Sequence, residues 1–208
     1  SNSRIYKLYG KKLKDLLIKI NPNIEFFLIK EGENSKSLKT INKIYNSLIK
    51  FKCNRKSLLI SLGGGVVGDI AGFVASTFYR GIDYIQVPTS LLSMIDSSIG
   101  GKTGINLNDG KNLIGTFHQP KAVFIDPLFL NTLGKNQLIS GFAEVVKYGI
   151  IKDKNLFIDV KNNFKSLINL ENHNQLQNII IQCCKYKSKI IVNDEYDYGK
   201  RLILNFGH

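Results

Sequence analysis

The sequence predicts an α/β fold: a Rossmann-like N-terminal domain on a parallel sheet, followed by an all-helical domain. Three observations predict it. Strand-like runs alternate with helix-spaced runs up to residue 125, the pattern of βαβ units. The run 57–62 (Ser-Leu-Leu-Ile-Ser-Leu) is predominantly apolar, as in a strand covered on both faces. Residues 135–193 carry no convincing strand, and their apolar positions keep helical spacing. The boundary is placed near residue 133, giving 1–133 for the sheet domain and 134–208 for the helical one.

Taken in order, Leu8, Leu13, Leu16, Leu17 and Ile20 share a helical spacing over 5–20. The run 24–29 (Ile-Glu-Phe-Phe-Leu-Ile) reads as a strand and 31–36 as a polar turn. Ile41, Ile44, Tyr45 and Leu48 mark a second helix before the strand at 57–62. Gly63-Gly64-Gly65-Val66-Val67-Gly68-Asp69 closes that strand and opens a helix from Ile70 to Phe78. Strands are expected at 84–87 and 122–125, with a short helix ending at Met94. Of the 18 glycines, 11 lie between Gly63 and Gly115, which gathers the close-approach loops in one region. In the helical part, Leu138, Phe142, Val145 and Val146, then Leu176, Ile179, Ile180 and Cys183, mark buried faces.

Composition narrows the function classes. The chain has 208 residues, 43% hydrophobic and 22% charged, the profile of an ordinary soluble globular protein. No apolar run approaches a membrane span and no secretory leader is visible, so no membrane partner is expected. Cys53, Cys183 and Cys184 suit a reducing, cytoplasmic setting better than a disulfide framework. The net charge of +13 brings nucleic acid into consideration. The lysines are spread through helical segments without a basic block or interleaved aromatics, so no nucleic-acid partner is expected, and a basic balance suits an anionic small substrate equally well.

Candidate chemistry concentrates between Asp96 and Asn112. There Asp96-Ser97-Ser98-Ile99-Gly100-Gly101-Lys102-Thr103-Gly104 is followed by Gly110-Lys111-Asn112. Each lysine follows a glycine, an arrangement suited to a phosphate or carboxylate because the backbone can approach closely. The plainer reading is two glycine turns with solvated lysines. Gly63 to Gly68 satisfies G-x-G-x-x-G between a strand and a helix, which suits a pyrophosphate but also any tight strand–helix turn. Gly101-Lys102-Thr103 imitates a Walker A ending, but Asp96 stands where its first glycine is required. Glu144 and Lys147 lie three apart on a helix among apolar neighbours, either an ordinary ion pair or a partly buried one that meets a metal or an anion. His118 and His173 have no motif context; Gly207-His208 closes the sequence.

Together these stretches resemble the 3-dehydroquinate synthase family of sugar-phosphate cyclases. The match is carried by GGGVVGDIAGFVAS (63–76), VPTSLL (87–92), DSSIGGKTG (96–104), GKNLIGTFHQP (110–120), AEVVKYG (143–149) and RLILNFGH (201–208). The resemblance implies conversion of 3-deoxy-D-arabino-heptulosonate 7-phosphate to 3-dehydroquinate in the shikimate pathway. It also implies catalytic NAD and a divalent metal, zinc or cobalt. A ring hydroxyl is oxidised, phosphate leaves by β-elimination, the ketone is reduced again, and the opened ring closes by an aldol reaction. The departing phosphate itself accepts the elimination proton.

The same resemblance assigns positions. NAD is expected at Glu31, Gly32, Glu33, Asn34, Ser35 and Lys36, near the adenosine, and at Gly65, Val66, Val67, Gly68 and Asp69, at the pyrophosphate. Thr89, Ser90, Phe129, Leu130, Asn131 and Thr132 complete that set. Lys102 and Lys111 match lysines near the nicotinamide and substrate, and Asp96 and Asn112 match substrate contacts. Lys147, Lys187, Arg201 and Asn205 match residues that hold carboxylate, phosphate and hydroxyls, while Glu144 and His208 match metal ligands. Family members carry further segments on both sides of this stretch, including a third metal ligand, so weak metal binding and incomplete activity are expected of the 208 residues alone. Homodimers are common in the family. Other sugar-phosphate cyclases and metal-dependent polyol dehydrogenases are the alternatives.

Overall fold

In a computed structural model of the chain, residues 1–207 are described. The elements in order are α1 (Ser3–Ile5), a π-helical turn Tyr6–Gly10, α2 (Lys11–Leu17), α3 (Leu38–Lys50), β1 (Leu58–Gly63) and α4 (Gly65–Thr77). They continue with β2 (Asp83–Pro88), a π-helical turn Ser93–Ser97, β3 (Lys102–Leu107), β4 (Gly110–Phe117) and β5 (Ala122–Val123). A 3-10 turn Pro127–Thr132 leads to α5 (Lys135–Ile151), α6 (Lys154–Ile168) and α7 (His173–Asn193), and a further 3-10 turn spans Lys200–Asn205.

Two compact units result, one of residues 1–87 and 101–124, the other of 88–100 and 125–208. They do not follow a single cut of the chain, because residues 88–100 join the helical unit. The reason is packing: Leu91, Met94 and Ile95, fully buried, belong to the same apolar cluster as Leu138, Phe142, Val145, Leu176, Ile179 and Ile180. Each such side chain removed from water stabilises the unit by about 1.5–3 kcal/mol.

The first unit holds a three-stranded sheet in the order β1-β2-β5. β2 and β5 pair in parallel, with Ile85 opposite Ala122 and Gln86 opposite Val123. Helix α4 follows β1 directly, and its Val67, Ile70, Phe73 and Val74 pack with Ile41 and Ile44 of α3. A methyl group at Gly68 would lie 2.6 Å from the Gln86 side chain, so this glycine lets helix and sheet close on each other.

Two elements differ from the sequence-based expectation. The run 24–29 is not a strand in a sheet: Ile29 bridges Asn2, and Ile29 N–H donates to the Ser1 carbonyl at 2.9 Å. Apolar alternation predicts an extended segment, but a strand needs a neighbour that supplies a ladder. In the other direction, the glycine-rich stretch after Gly101 is an antiparallel hairpin of β3 and β4, with Thr103 opposite Thr116, Gly104 opposite Gly115 and Ile105 opposite Ile114. The Asp109-Gly110 pair at its turn is the local signal for it. Because Lys102 opens a strand, the stretch is not a phosphate-cradling loop before a helix.

The hairpin is tied down by hydroxyls. Thr103 Oγ1 and Thr116 Oγ1 lie 2.7 Å apart, and Thr116 Oγ1 donates to Ser76 Oγ of α4 at 2.8 Å. In the helical unit, Asp153 caps α6 by accepting from Asn155 N–H at 2.9 Å and Leu156 N–H at 3.3 Å, while the Tyr186 hydroxyl donates to its other oxygen. That hydroxyl bond holds the Asp153 carboxyl below its ordinary value and pushes the Tyr186 phenol up to about 12.

Gly115→Ala places a Cβ inside contact distance of the Thr103 carbonyl oxygen and is expected to cost about 1–3 kcal/mol in urea unfolding. Asp153→Ala is expected to cost about 1 kcal/mol at pH 7. The depressed acid stabilises the fold above its unfolded pKa of 3.8 and ceases to as pH falls through its lower folded value. The difference between wild type and variant should therefore vanish in acid unfolding series below that range.

Candidate active site

The residues singled out by the sequence fall into two groups, one in each unit. In the first unit, β1 delivers the chain to the glycine turn and α4 starts at Gly65, its first turn having no side-chain cap. Free amides at such an end favour an anion. Asp69, one turn along α4, accepts from the Lys36 ammonium at 2.7 Å. Lys36 is 3% exposed and also donates to the Asn112 carboxamide oxygen, with Glu33 Oε1 at 3.6 Å. The structure thus brings together three of the predicted stretches: the 31–36 turn, the glycine turn and the segment at 110–112.

The turn itself is shaped locally. Gly32 takes φ +94°, a conformation open to glycine, and the buried Ser35 hydroxyl donates to the Lys30 carbonyl at 2.7 Å. Glu31 and Asn34 are exposed, while Val66 and Gly65 are half-buried and Val67 and Gly68 are buried. Lys102 and Lys111 stand exposed on β3 and β4. Asn112, beside Lys111, adopts φ +56°, a left-handed conformation that asparagine tolerates better than most residues.

One residue in this network was not singled out by the sequence. Asn106 lies at the irregularity of the hairpin between Ile105 and Leu107. Its amide Nδ2 donates to Glu33 Oε1 at 2.9 Å and its Oδ1 accepts from Asn112 N–H at 2.9 Å. No spacing rule marks such a position; only the asparagine-rich turn 106–109 hints at local hydrogen bonding.

In the second unit, four charged side chains are withdrawn from water: Glu144 at 5% exposure, Lys147 at 6%, Lys187 at 5% and Arg201 at 3%. Glu144 and Lys147, three apart on α5, form an ion pair, and Lys147 Nζ also donates to the Leu204 carbonyl at 2.7 Å. Lys187 of α7 donates to both the carboxylate and the carbonyl of Asp96, the latter at 2.7 Å. Burial pulls the Lys187 pKa below its ordinary value, opposed by the Asp96 charge. Arg201 donates to the Glu195 carbonyl at 2.6 Å and the Gly100 carbonyl at 3.3 Å. Each cation is therefore anchored by at least one backbone oxygen, which fixes its position independently of any ligand.

The remaining predicted residues have local duties or open positions. Ser90 N–H donates to Ser93 Oγ at 3.1 Å and Ser93 N–H to Ser90 Oγ at 3.3 Å, a reciprocal cap on the turn that carries Asp96. Thr89 is buried beside it. Leu130 sits in the apolar cluster, Thr132 Oγ1 donates to the Phe129 carbonyl at 3.2 Å, and Asn131 and Asn205 are exposed. His208 lies outside the described residues. The other histidines are accounted for structurally: His118 stacks on Tyr84 at 5.3 Å and bonds the Ile82 carbonyl at 3.0 Å, and exposed His173 begins α7.

Comparison with known proteins identifies the family. The family model described as 3-dehydroquinate synthase N-terminal matches residues 26–140, and the one described as 3-dehydroquinate synthase C-terminal matches residues 141–208. The 3-dehydroquinate synthase of Prochlorococcus marinus (strain MIT 9215) is 52% identical over 210 residues, covering 100% of this chain and 58% of that protein. The chain thus spans 58% of the length of that curated relative. Among solved structures, the 2-epi-5-epi-valiolone synthase of Streptomyces hygroscopicus subsp. jinggangensis 5008, with NAD+ and Zn2+ bound, superimposes with a TM-score of 0.90 at 30% identity, covering 100% of this chain and 58% of that one. A 2-deoxy-scyllo-inosose synthase complexed with carbaglucose-6-phosphate, NAD+ and Co2+ follows at TM-score 0.87 and 29% identity, covering 100% and 57%. With the two family models together matching residues 26–208 and half of the residues shared with a curated relative, the chain belongs to the 3-dehydroquinate synthase family.

Proposed function

We propose that the chain forms part of a 3-dehydroquinate synthase, a cytoplasmic enzyme that converts 3-deoxy-D-arabino-heptulosonate 7-phosphate to 3-dehydroquinate and phosphate. The observation that carries this reading is the set of buried charges at Glu144, Lys147, Lys187 and Arg201, the three cations anchored on backbone carbonyls, Glu144 paired with Lys147 and Asp96 with Lys187. A packed helical unit has no structural need for so many ions, whereas a substrate bearing a carboxylate, a phosphate and several hydroxyls does.

The glycine turn fits NAD: the start of α4 has no side-chain cap, and Lys36 and Asp69 stand beside it. When bound, NAD supplies the oxidation of a ring alcohol and its later re-reduction, with no net redox. Glu33 would meet adenosine hydroxyls, the amides that open α4 the pyrophosphate, and exposed Lys102 and Lys111 the nicotinamide and substrate side, while buried Lys36 would hold the turn through Asp69 and Asn112. Among the described residues no three His, Cys, Asp or Glu side chains converge, and Glu144 by itself does not complete a zinc ligand set. His208 is the other ligand position the family resemblance implies.

The chain's own residues act by fixing charge. Lys187 and Arg201 hold the anionic groups, so binding energy orients the ring rather than being spent on assembling the site. Lys147, held by Glu144 and the Leu204 carbonyl, presents an ammonium whose direction is set before substrate arrives. Asp96 and Asn112 orient hydroxyls. No dedicated base is required where the departing phosphate accepts the elimination proton.

The second reading, another sugar-phosphate cyclase, draws on the likeness to the valiolone and inosose synthases. The complete reading frame, incubated with NAD and zinc, is expected to release phosphate and 3-dehydroquinate in equal amounts from the heptulosonate phosphate without accumulating NADH. Release from glucose 6-phosphate or sedoheptulose 7-phosphate instead would move the assignment to that second reading, and NADH accumulating with a polyol would move it to a dehydrogenase. Lys187→Met is expected to lower the rate by about 10²-fold or more with the far-ultraviolet circular dichroism unchanged. Because burial lowers the Lys187 pKa, its charge is lost as pH rises through a value below 10.5. The wild-type rate should fall on that alkaline side, and Lys187→Arg should abolish the fall.

A further inference from the structure

We propose that Asn106 is a positioning residue that locks the 31–36 turn and Asn112 into one rigid unit for cofactor binding. The inference rests on the reading of that turn as part of the NAD site. Its basis is a closed ring of hydrogen bonds among Lys36, Asn106 and Asn112, which ties the 31–36 turn to both arms of the hairpin. The Asn106 backbone N–H donates to the Lys36 carbonyl at 2.8 Å, the Asn112 N–H donates to Asn106 Oδ1 at 2.9 Å, and the Lys36 ammonium donates to Asn112 Oδ1. From this ring the Asn106 amide nitrogen reaches out to Glu33 Oε1 at 2.9 Å, and the Lys36 ammonium reaches Asp69 at 2.7 Å.

The chemistry of the side chain matters here. Position 106 must donate to a carboxylate and accept from a backbone amide at the same time, which a short carboxamide does and neither Asp nor Leu can. The irregularity in the hairpin supplies the geometry, since a break in the ladder releases a backbone N–H from cross-strand pairing and re-aims the side chain. Both contacts made to Glu33 fall on Oε1, which leaves Oε2 for a ligand hydroxyl. Asn112, whose left-handed backbone would otherwise be held by the hairpin alone, is fixed at its N–H by Asn106 and at its side chain by Lys36. The same ring thus sets the orientation of Glu33 on the cofactor side and of Asn112 on the substrate side.

The test uses the protein of the complete reading frame, reading amide hydrogen exchange by NMR and NAD affinity by titration calorimetry. The informative amides are Ser35 and Lys36, which bond the Gly32 and Glu33 carbonyls and do not touch the Asn106 side chain. Asn106→Ala is expected to speed exchange at both by about tenfold and to weaken NAD by about tenfold, leaving the amides of Thr103 and Thr116 unchanged. Asn106→Asp sets two carboxylates against each other and should do the same. Adding Glu33→Gln to it lets the new amide at position 33 donate to the carboxylate at 106, and protection of Ser35 and Lys36 should return. Protection is the readout for this double variant because Glu33 itself faces the cofactor. Unchanged exchange at Ser35 and Lys36, unchanged NAD affinity in Asn106→Ala, or an equal loss of protection along the whole hairpin would overturn the proposal. A complete wild-type protein that binds no NAD would overturn the reading of the turn as a cofactor site, and the exchange rates alone would then decide whether Asn106 positions it.

Discussion

Charge kept away from water is the constraint on which this structure turns. An ammonium or guanidinium moved out of solvent is tolerated only where oxygen atoms replace the lost hydration. In the helical unit those oxygens are main-chain carbonyls of Asp96, Glu195, Gly100 and Leu204. In the sheet unit they are the side chains of Asp69 and Asn112 around Lys36. The helices and turns that bear these groups are held where the oxygens must be. The π-helical turn Ser93–Ser97 places Asp96 over Lys187, and the 3-10 turn Lys200–Asn205 brings the Leu204 carbonyl to Lys147.

What was legible in the sequence was whatever carries a local pattern. The glycine turn after an apolar strand, the i,i+3 carboxylate–ammonium pair on α5 and the helical spacing past residue 135 all appear where they were expected. Spacing on one helix determines which side chains share a face, so the burial of Glu144 and Lys147 followed from their apolar neighbours. The family resemblance then supplied roles that no periodicity could.

What stayed hidden depends on partners distant in the chain. Residues 24–29 have strand composition but lack a ladder, whereas Lys102–Phe117 form one despite their glycines. The inclusion of Leu91, Met94 and Ile95 in the helical core is a matter of contacts across more than 30 residues, which local spacing does not reveal. Asn106 illustrates the limit most sharply. A carboxamide in a turn is unremarkable until the three segments it joins are seen side by side.

The opposed glycines 104 and 115 carry a consequence for how the hairpin finds its alignment. With a Cβ at Gly115 excluded by the Thr103 carbonyl, sliding one strand by a single residue would bring the branched side chains of Ile114 or Thr116 into that gap. The bare pair therefore works as a vernier, admitting one setting of the two strands and penalising its neighbours. Only in that setting does Asn106, two positions along, point its carboxamide back to the polar turn, so the phasing of the neighbouring irregularity depends on two missing methyl groups.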